Sequence, residues 1–215
     1  MKTPDPVSLG IFLAVFSLVP LLLVVGTSFL KISTVLVLVR NALGVQQVPP
    51  NIALYGLALV LSLYVMAPVT RQIVDAVRAE PSAFDNVSSA ISLLQKGSEP
   101  LTKFLLKHTK AEQRRFFMDT ARRSWPEEQA RSVSETDLLI LLPAFVAAEL
   151  TTAFEIGFLL YLPFLVIDLI VSNILLSLGM MMVSPSTISL PLKLFLFVMI
   201  DGWTRLMHGL VLSYA

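Results

Sequence analysis

The chain has 215 residues, 55% hydrophobic and 14% charged, with a formal net charge of +1 and a mean hydropathy of +0.78. An ordinary soluble domain carries about 25% charged residues and needs polar side chains to face water; here they are too few, so lipid or apolar protein covers much of the exterior. The charge balance removes any bulk electrostatic case for nucleic acid, and the absence of cysteine removes disulfides, iron–sulfur clusters and thiolate metal sites.

No charge interrupts Pro6 to Leu30, and VSLGIFLAVFSLVPLLLVVGTSFL is long enough for a helix to cross a hydrocarbon core about 30 Å thick. A lone Lys2, Asp5 close behind and no A-x-A-like site after the run favour a retained span over a signal peptide. Pro20 is expected to kink it. Lys31, apolar Ile32–Val39 and Arg40 follow, then NALGVQQVPPN, where Pro49-Pro50 stops a helix because the residue before a proline is pushed out of the α region. A second span is expected from about Ile52 to Val69. The connection carries Lys31 and Arg40 and no acid, so the positive-inside rule makes it cytoplasmic and puts the N-terminus outside.

Arg71–Asp137 holds nearly all the charge, with both signs interspersed, and reads as a small soluble helical domain outside the cytoplasm. Breaks are expected at Gly97 and Pro100 and again at Trp125-Pro126. The RR-FF and RR-SW runs read as a solvated helix face with aromatics turned inward. That reading ranks ahead of nucleic-acid binding because Glu112, Asp119, Glu127 and Glu128 are interleaved. His108 and His208 make no metal-ligand spacing.

From Leu138 to Val183 the chain is nearly continuously apolar, which allows two spans with Pro143 and Pro163 as kinks or turn points. Hydropathy thus suggests four spans. Ser184-Pro185-Ser186 reads as a turn, and Ile188–Tyr214 as a helical stretch interrupted by Pro191, Lys193, Asp201 and Arg205, a poor lipid-facing span. Three parts are expected: an apolar hairpin over 1–70, a polar helical domain over 71–137, and C-terminal apolar helices with a Met-rich turn over 138–215. There is no nucleotide-binding or zinc-protease motif.

Glu149, Glu155 and Asp168 sit inside apolar sequence. A charge at the bilayer centre costs at least about 2.5–3.5 kcal/mol, so such residues face protein or water. The first-ranked reading makes them contacts to neighbouring subunits, with Lys193, Arg205, Lys31 and Arg40 as available partners. The second makes them a proton or cation relay of a secondary transporter, although no inverted repeat is visible. Gly179-Met180-Met181-Met182 is the other signal. Methionine in an apolar helix is usually a gap filler. Three in succession cannot share one helix face, since neighbours lie about 100° apart, so the run ends a helix or enters a turn. A ring of such soft side chains, one set per subunit, would close around a passing polypeptide without demanding a sequence. An intramembrane Ser–His enzyme would need His108 or His208, and neither has a nucleophile motif beside it. A receptor-like outer domain has no support beyond the existence of Arg71–Asp137.

TSFLKISTVLVLVRNALGVQQVPPN and LPAFVAAELTTAFEIGFLLYLPFLVIDLIVSNILLSLGMMMVSPSTISLPLKLFLFVMIDGW resemble the two signature blocks of the FliP/SctR family, core export apparatus proteins of flagella and type III injectisomes. The blocks cover well over a third of the chain; Arg71–Asp137 carries least of the likeness. The short start before the first span and NIALYGLALVLSLYVMAPV look more like the injectisome branch. The resemblance implies an all-α integral membrane protein of kinked helical hairpins. It implies a pentamer that joins two smaller related subunits in the bacterial inner membrane and conducts unfolded secreted proteins. It implies neither enzyme activity nor a cofactor. Met180, Met181 and Met182 match the family's pore gasket, and Glu149, Glu155, Asp168, Lys193, Asp201 and Arg205 are expected as buried charged contacts.

Overall fold

A computed structural model describes residues 24–79 and 87–215, with Ser17, Pro20 and Leu21 ahead of them and the backbone alone over 87–95. The expected first span and its kink at Pro20 fall almost wholly outside the described residues. Every regular element described is helical: α1 (Phe29–Leu43), α2 (Asn51–Ala79), α3 (Val87–His108), α4 (Ala111–Ser124), α5 (Glu127–Ser132), α6 (Leu138–Ser177), α7 (Pro185–Met199) and α8 (Gly202–Leu212).

Helix α1 ends where Gly44 turns to φ +78, its N–H bonded to the Asn41 carbonyl at 3.0 Å. As expected at the Pro49-Pro50 pair, a new helix starts there: the Pro50 carbonyl accepts from Ala53 and Leu54 at 3.0 and 3.2 Å. Helix α2 then runs 29 residues, through Pro68 and beyond Val69, so 71–79 prolong the apolar helix instead of opening a polar one. The break expected at Gly97 and Pro100 is corrected too, because α3 passes through both. A proline deletes one N–H donor, and here the neighbouring turns hold: Thr102 donates to the Ser98 carbonyl at 3.0 Å, and Lys103 pairs with Glu99 at 2.7 Å. Hydrogen bonding and attraction from that lysine hold the Glu99 carboxyl below the usual carboxylate range. The break comes at Thr109-Lys110, where the Thr109 hydroxyl bonds back to the Leu105 carbonyl at 2.7 Å. Trp125-Pro126 ends α4 as expected.

Helix α6 is continuous for 40 residues, about 60 Å long at 1.5 Å per residue. Pro143 and Pro163, expected as kinks or turn points, are therefore not turns that divide this segment into two helices. Each proline frees one carbonyl, and in an apolar segment a full break would strand many more polar groups away from water. By length and composition α2 and α6 each suffice to cross a membrane; α7 and α8, bent by 61° at their junction, make a third if counted together. Among the described residues there are thus two or three, and the expected first span lies almost wholly outside them. Ser184-Pro185 is corrected as well, since Ser184 is the N-cap and Pro185 opens α7, its fixed φ suiting the first helical turn.

The chain divides into two compact units, one comprising 31–62 with 150–215, the other 63–149 with the described part of 1–30. In the second, Ala121, Val133 and Ile140 form a buried cluster with Phe117, Met118 and Trp125 packed on it. Of the RR-FF aromatics, Phe117 thus turns inward while Phe116 is exposed. Arg114 donates to the Thr109 carbonyl and to Glu135.

In the first unit, Ile32, Val35, Leu36 and Val39 of α1 are buried with Ala153 and Phe164 of α6. Gly157 is a point of close approach to α1: a Cβ there would lie 2.4 Å from Leu38 Cδ1 and 3.2 Å from its Cβ. We expect Gly157→Val to cost about 1–3 kcal/mol by overpacking, read as a lower unfolding temperature in detergent. Adding Leu38→Ala should recover part of the loss.

Candidate functional site

The turn that follows α6 is built by backbone bonds. Gly179 takes φ +71; its N–H reaches the Leu176 carbonyl at 3.0 Å while the Met180 N–H reaches Leu175 at 2.9 Å. These two bonds are a Schellman motif, with glycine at the left-handed position. Nothing lies within 4 Å of an added Cβ, so Gly179 is required for its backbone angle and not for space. The Val183 N–H closes a further turn onto the Met180 carbonyl at 3.3 Å. Met180, Met181 and Met182 ride this turn 43%, 82% and 101% exposed. They fill no gap within the chain. Leu178 and Leu176 beside them are also exposed, so an apolar tip projects from the end of a long apolar helix. Contiguous exposed apolar surface marks a place that lipid or protein covers.

The charged residues fall into two groups. Lys193, 5% exposed, donates to Asp168 at 2.6 Å and to the Ala42 carbonyl at the end of α1 at 3.3 Å. Ser189, on the same helix as Lys193, is buried as well. This ion pair therefore lies within one chain, where contacts to neighbouring subunits are expected from sequence. Glu149 is also buried. Glu155, Asp201 and Arg205 are exposed in the single chain. The reason for the first is angular: Glu155 follows Glu149 by six positions, about 120° around the helix, and points away from the face that Ala148 and Glu149 bury. Asp201 precedes α8 at φ +54 and accepts from the Thr204 hydroxyl at 3.0 Å; Arg205 lies on the first turn of that helix.

One contact has no signal in the sequence. Lys31, buried, places its Nζ 3.6 Å from the centroid of the Tyr214 ring, a cation–π pair between positions at opposite ends of the first unit's sequence. Among the described residues no group of three or more His, Cys, Asp or Glu is placed to hold a metal ion.

Apolar helices long enough to span, a hydrophobic turn at the end of the longest of them and an ion pair inside apolar sequence define an all-α, multi-pass membrane protein. The FliP family matches residues 12–210. The chain is 54% identical over 214 residues to Yop proteins translocation protein R of Yersinia pestis, covering 100% of this chain and 99% of that one. It is 51% identical over 213 residues to harpin secretion protein HrcR of Erwinia amylovora, covering 98% and 97%. To virulence protein YscR of Salmonella typhimurium it is 48% identical over 217 residues, covering 100% of both. The chain belongs to the FliP family, on its injectisome side, and its role lies in the export apparatus of type III secretion.

Proposed function

We propose that several copies of this chain form the pore of the export gate, which conducts unfolded substrate proteins across the bacterial inner membrane. The observation that carries this reading is the exposure of Met180, Met181 and Met182 at the tip of one turn. Methionine is long, unbranched and polarizable, so it seals an irregular gap and yields to varied side chains. A ring of these turns, five in the assembly implied by family membership, closes the pore in the resting state. Two smaller related subunits complete the gate. The charged segment 71–137 faces the periplasm, and no chemical step is catalysed. Glu155, Asp201 and Arg205, exposed in the single chain, make contacts to neighbouring subunits, where removal from lipid offsets the cost of a charge. The ion pair of Asp168 with the buried Lys193 supports an architectural role for that carboxylate over a transport relay, because it is the counter-ion of an ammonium withdrawn from water.

Native mass spectrometry in mild detergent tests the assembly, first on the chain alone and then with its operon neighbours. A closed homo-oligomer that takes up small hydrophobic partners is the expected result. A monomer or simple dimer that ignores those neighbours would contradict the proposal and favour a transporter working through Glu155 and Asp168.

A further inference from the structure

The last turn of α1, beside the connection to α2, carries a buried cation with no anion of its own. Arg40 is 8% exposed. Its Nη1 donates to the Pro49 carbonyl at 3.2 Å and to Asn51 Oδ1 at 2.5 Å, both neutral acceptors. Its Nε is buried without a hydrogen bond. Among the described residues no carboxylate comes within ion-pair distance of it. Lys193, close by at Gly44, already has Asp168 as counter-ion. A charge taken out of water is costly unless it is paired, and this guanidinium has only neutral oxygens as acceptors, with its Nε buried and unbonded. It also lines an open cavity of about 440 Å³ with Asn41, Gly44, Val45, Gln46 and Gln47. The walls thus supply one cation and several amide groups, and no acid.

We propose that this cavity binds a phosphate-bearing anion, and that the anion is the headgroup of an anionic phospholipid. A phosphate accepts a strong, charge-assisted hydrogen bond from a guanidinium, and with Nη1 engaged and Nε buried the nitrogen left to donate is Nη2. What selects a lipid over free phosphate is the apolar surface beside the cavity. Val48 and Ile52 are 67% and 79% exposed, and Tyr55 one turn further along α2 is exposed too. The cavity therefore lies at the beginning of a helix apolar and long enough to span, so an acyl chain can run along Val48, Ile52 and Tyr55 while the headgroup sits on Arg40. Basic pockets at the ends of membrane helices recognise lipid headgroups in this way. The site goes beyond the pore reading and does not depend on it.

The test is native mass spectrometry of the full chain in detergent supplemented with phosphatidylglycerol, with phosphatidylcholine, or with inorganic phosphate alone. The wild-type chain should retain phosphatidylglycerol about five-fold over phosphatidylcholine, the effect of about one basic residue at a membrane surface. Arg40→Gln should abolish that preference. Because Arg40 is buried and its loss endangers folding, Gln46→Glu provides a second variant. It changes an exposed residue and places a carboxylate beside Arg40, so it should expel the lipid while leaving the unfolding temperature unchanged or raised. Retention of phosphatidylglycerol by both variants as in wild type would overturn the site. Retention of inorganic phosphate with no preference between the two lipids would overturn the lipid assignment. Loss of the oligomer in both Arg40→Gln and Glu155→Gln, with lipid retention unaltered, would make a second copy's carboxylate the occupant and likewise overturn it.

Discussion

Replacing Met180, Met181 and Met182 together by alanine leaves the complex assembled and makes the membrane leak small solutes, by about ten-fold over wild type if the three side chains form the hydrophobic constriction. The expectation rests on where these residues sit. Met181 and Met182 are 82% and 101% exposed in the chain and Met180 43%, so truncation removes little apolar area buried within it, nearly all of it at Met180. Surface changes away from caps and cores stay within about 0.5 kcal/mol, and the backbone bonds of Gly179, Met180 and Val183 that shape the turn do not involve side chains. Folding and permeability are thus separable at this site. Each truncation removes the three heavy atoms beyond Cβ from every subunit, which widens any aperture the turns enclose. Dye or sugar entry into cells carrying the assembled variant reads the effect. Unchanged permeability with the assembly intact would remove the gasket role.

Lys193→Ala has the opposite signature, a loss of stability first and of transport only as its consequence. The substitution strands Asp168 and the Ala42 carbonyl at once. Removing one member of a buried ion pair costs about 3–5 kcal/mol; because the Asp168 side chain is 36% exposed, water offsets some of this, and about 2–3 kcal/mol is expected. Asp168→Ala should cost as much or more, since it leaves the more deeply buried ammonium alone. The double variant should cost less than the sum by about 1–2 kcal/mol, the coupling of residues in contact. Denaturation in detergent measures all three. An Asp168→Asn variant that assembles with wild-type stability and yet transports nothing would instead make the carboxylate a relay.

How far the chain's architecture was legible depends on whether its cause is local. Pro49-Pro50, Trp125-Pro126 and the interruption at Asp201 all mark real helix boundaries, because each acts through the backbone of its immediate neighbours. The glycine before the methionines ends a helix for the same reason. Prolines inside long apolar or amphipathic runs mislead. Pro100, Pro143 and Pro163 each delete one donor, and whether a helix survives that depends on the turns around it and on what else the freed carbonyl meets. Glu149 and Glu155 look alike in sequence, and only packing decides which side of α6 is covered. Partners are hidden for a stronger reason: Lys31 with Tyr214, and Lys193 with both Asp168 and Ala42, join residues that approach only after the chain has folded. The methionine run was visible as an oddity of helical spacing. Its full exposure at a Schellman turn was not, because exposure is a property of what fails to pack against it.

The central claim, that substrate passes along this turn, is tested most directly by placing a photoreactive amino acid at position 181 or 182 and stalling a secreted protein in transit. Crosslinks from these two positions to the stalled substrate are the expected result, with none from position 64, where Tyr64 is exposed on α2 well away in sequence from the turn. Crosslinks to lipid or to other subunits alone, with substrate demonstrably stalled, would contradict it.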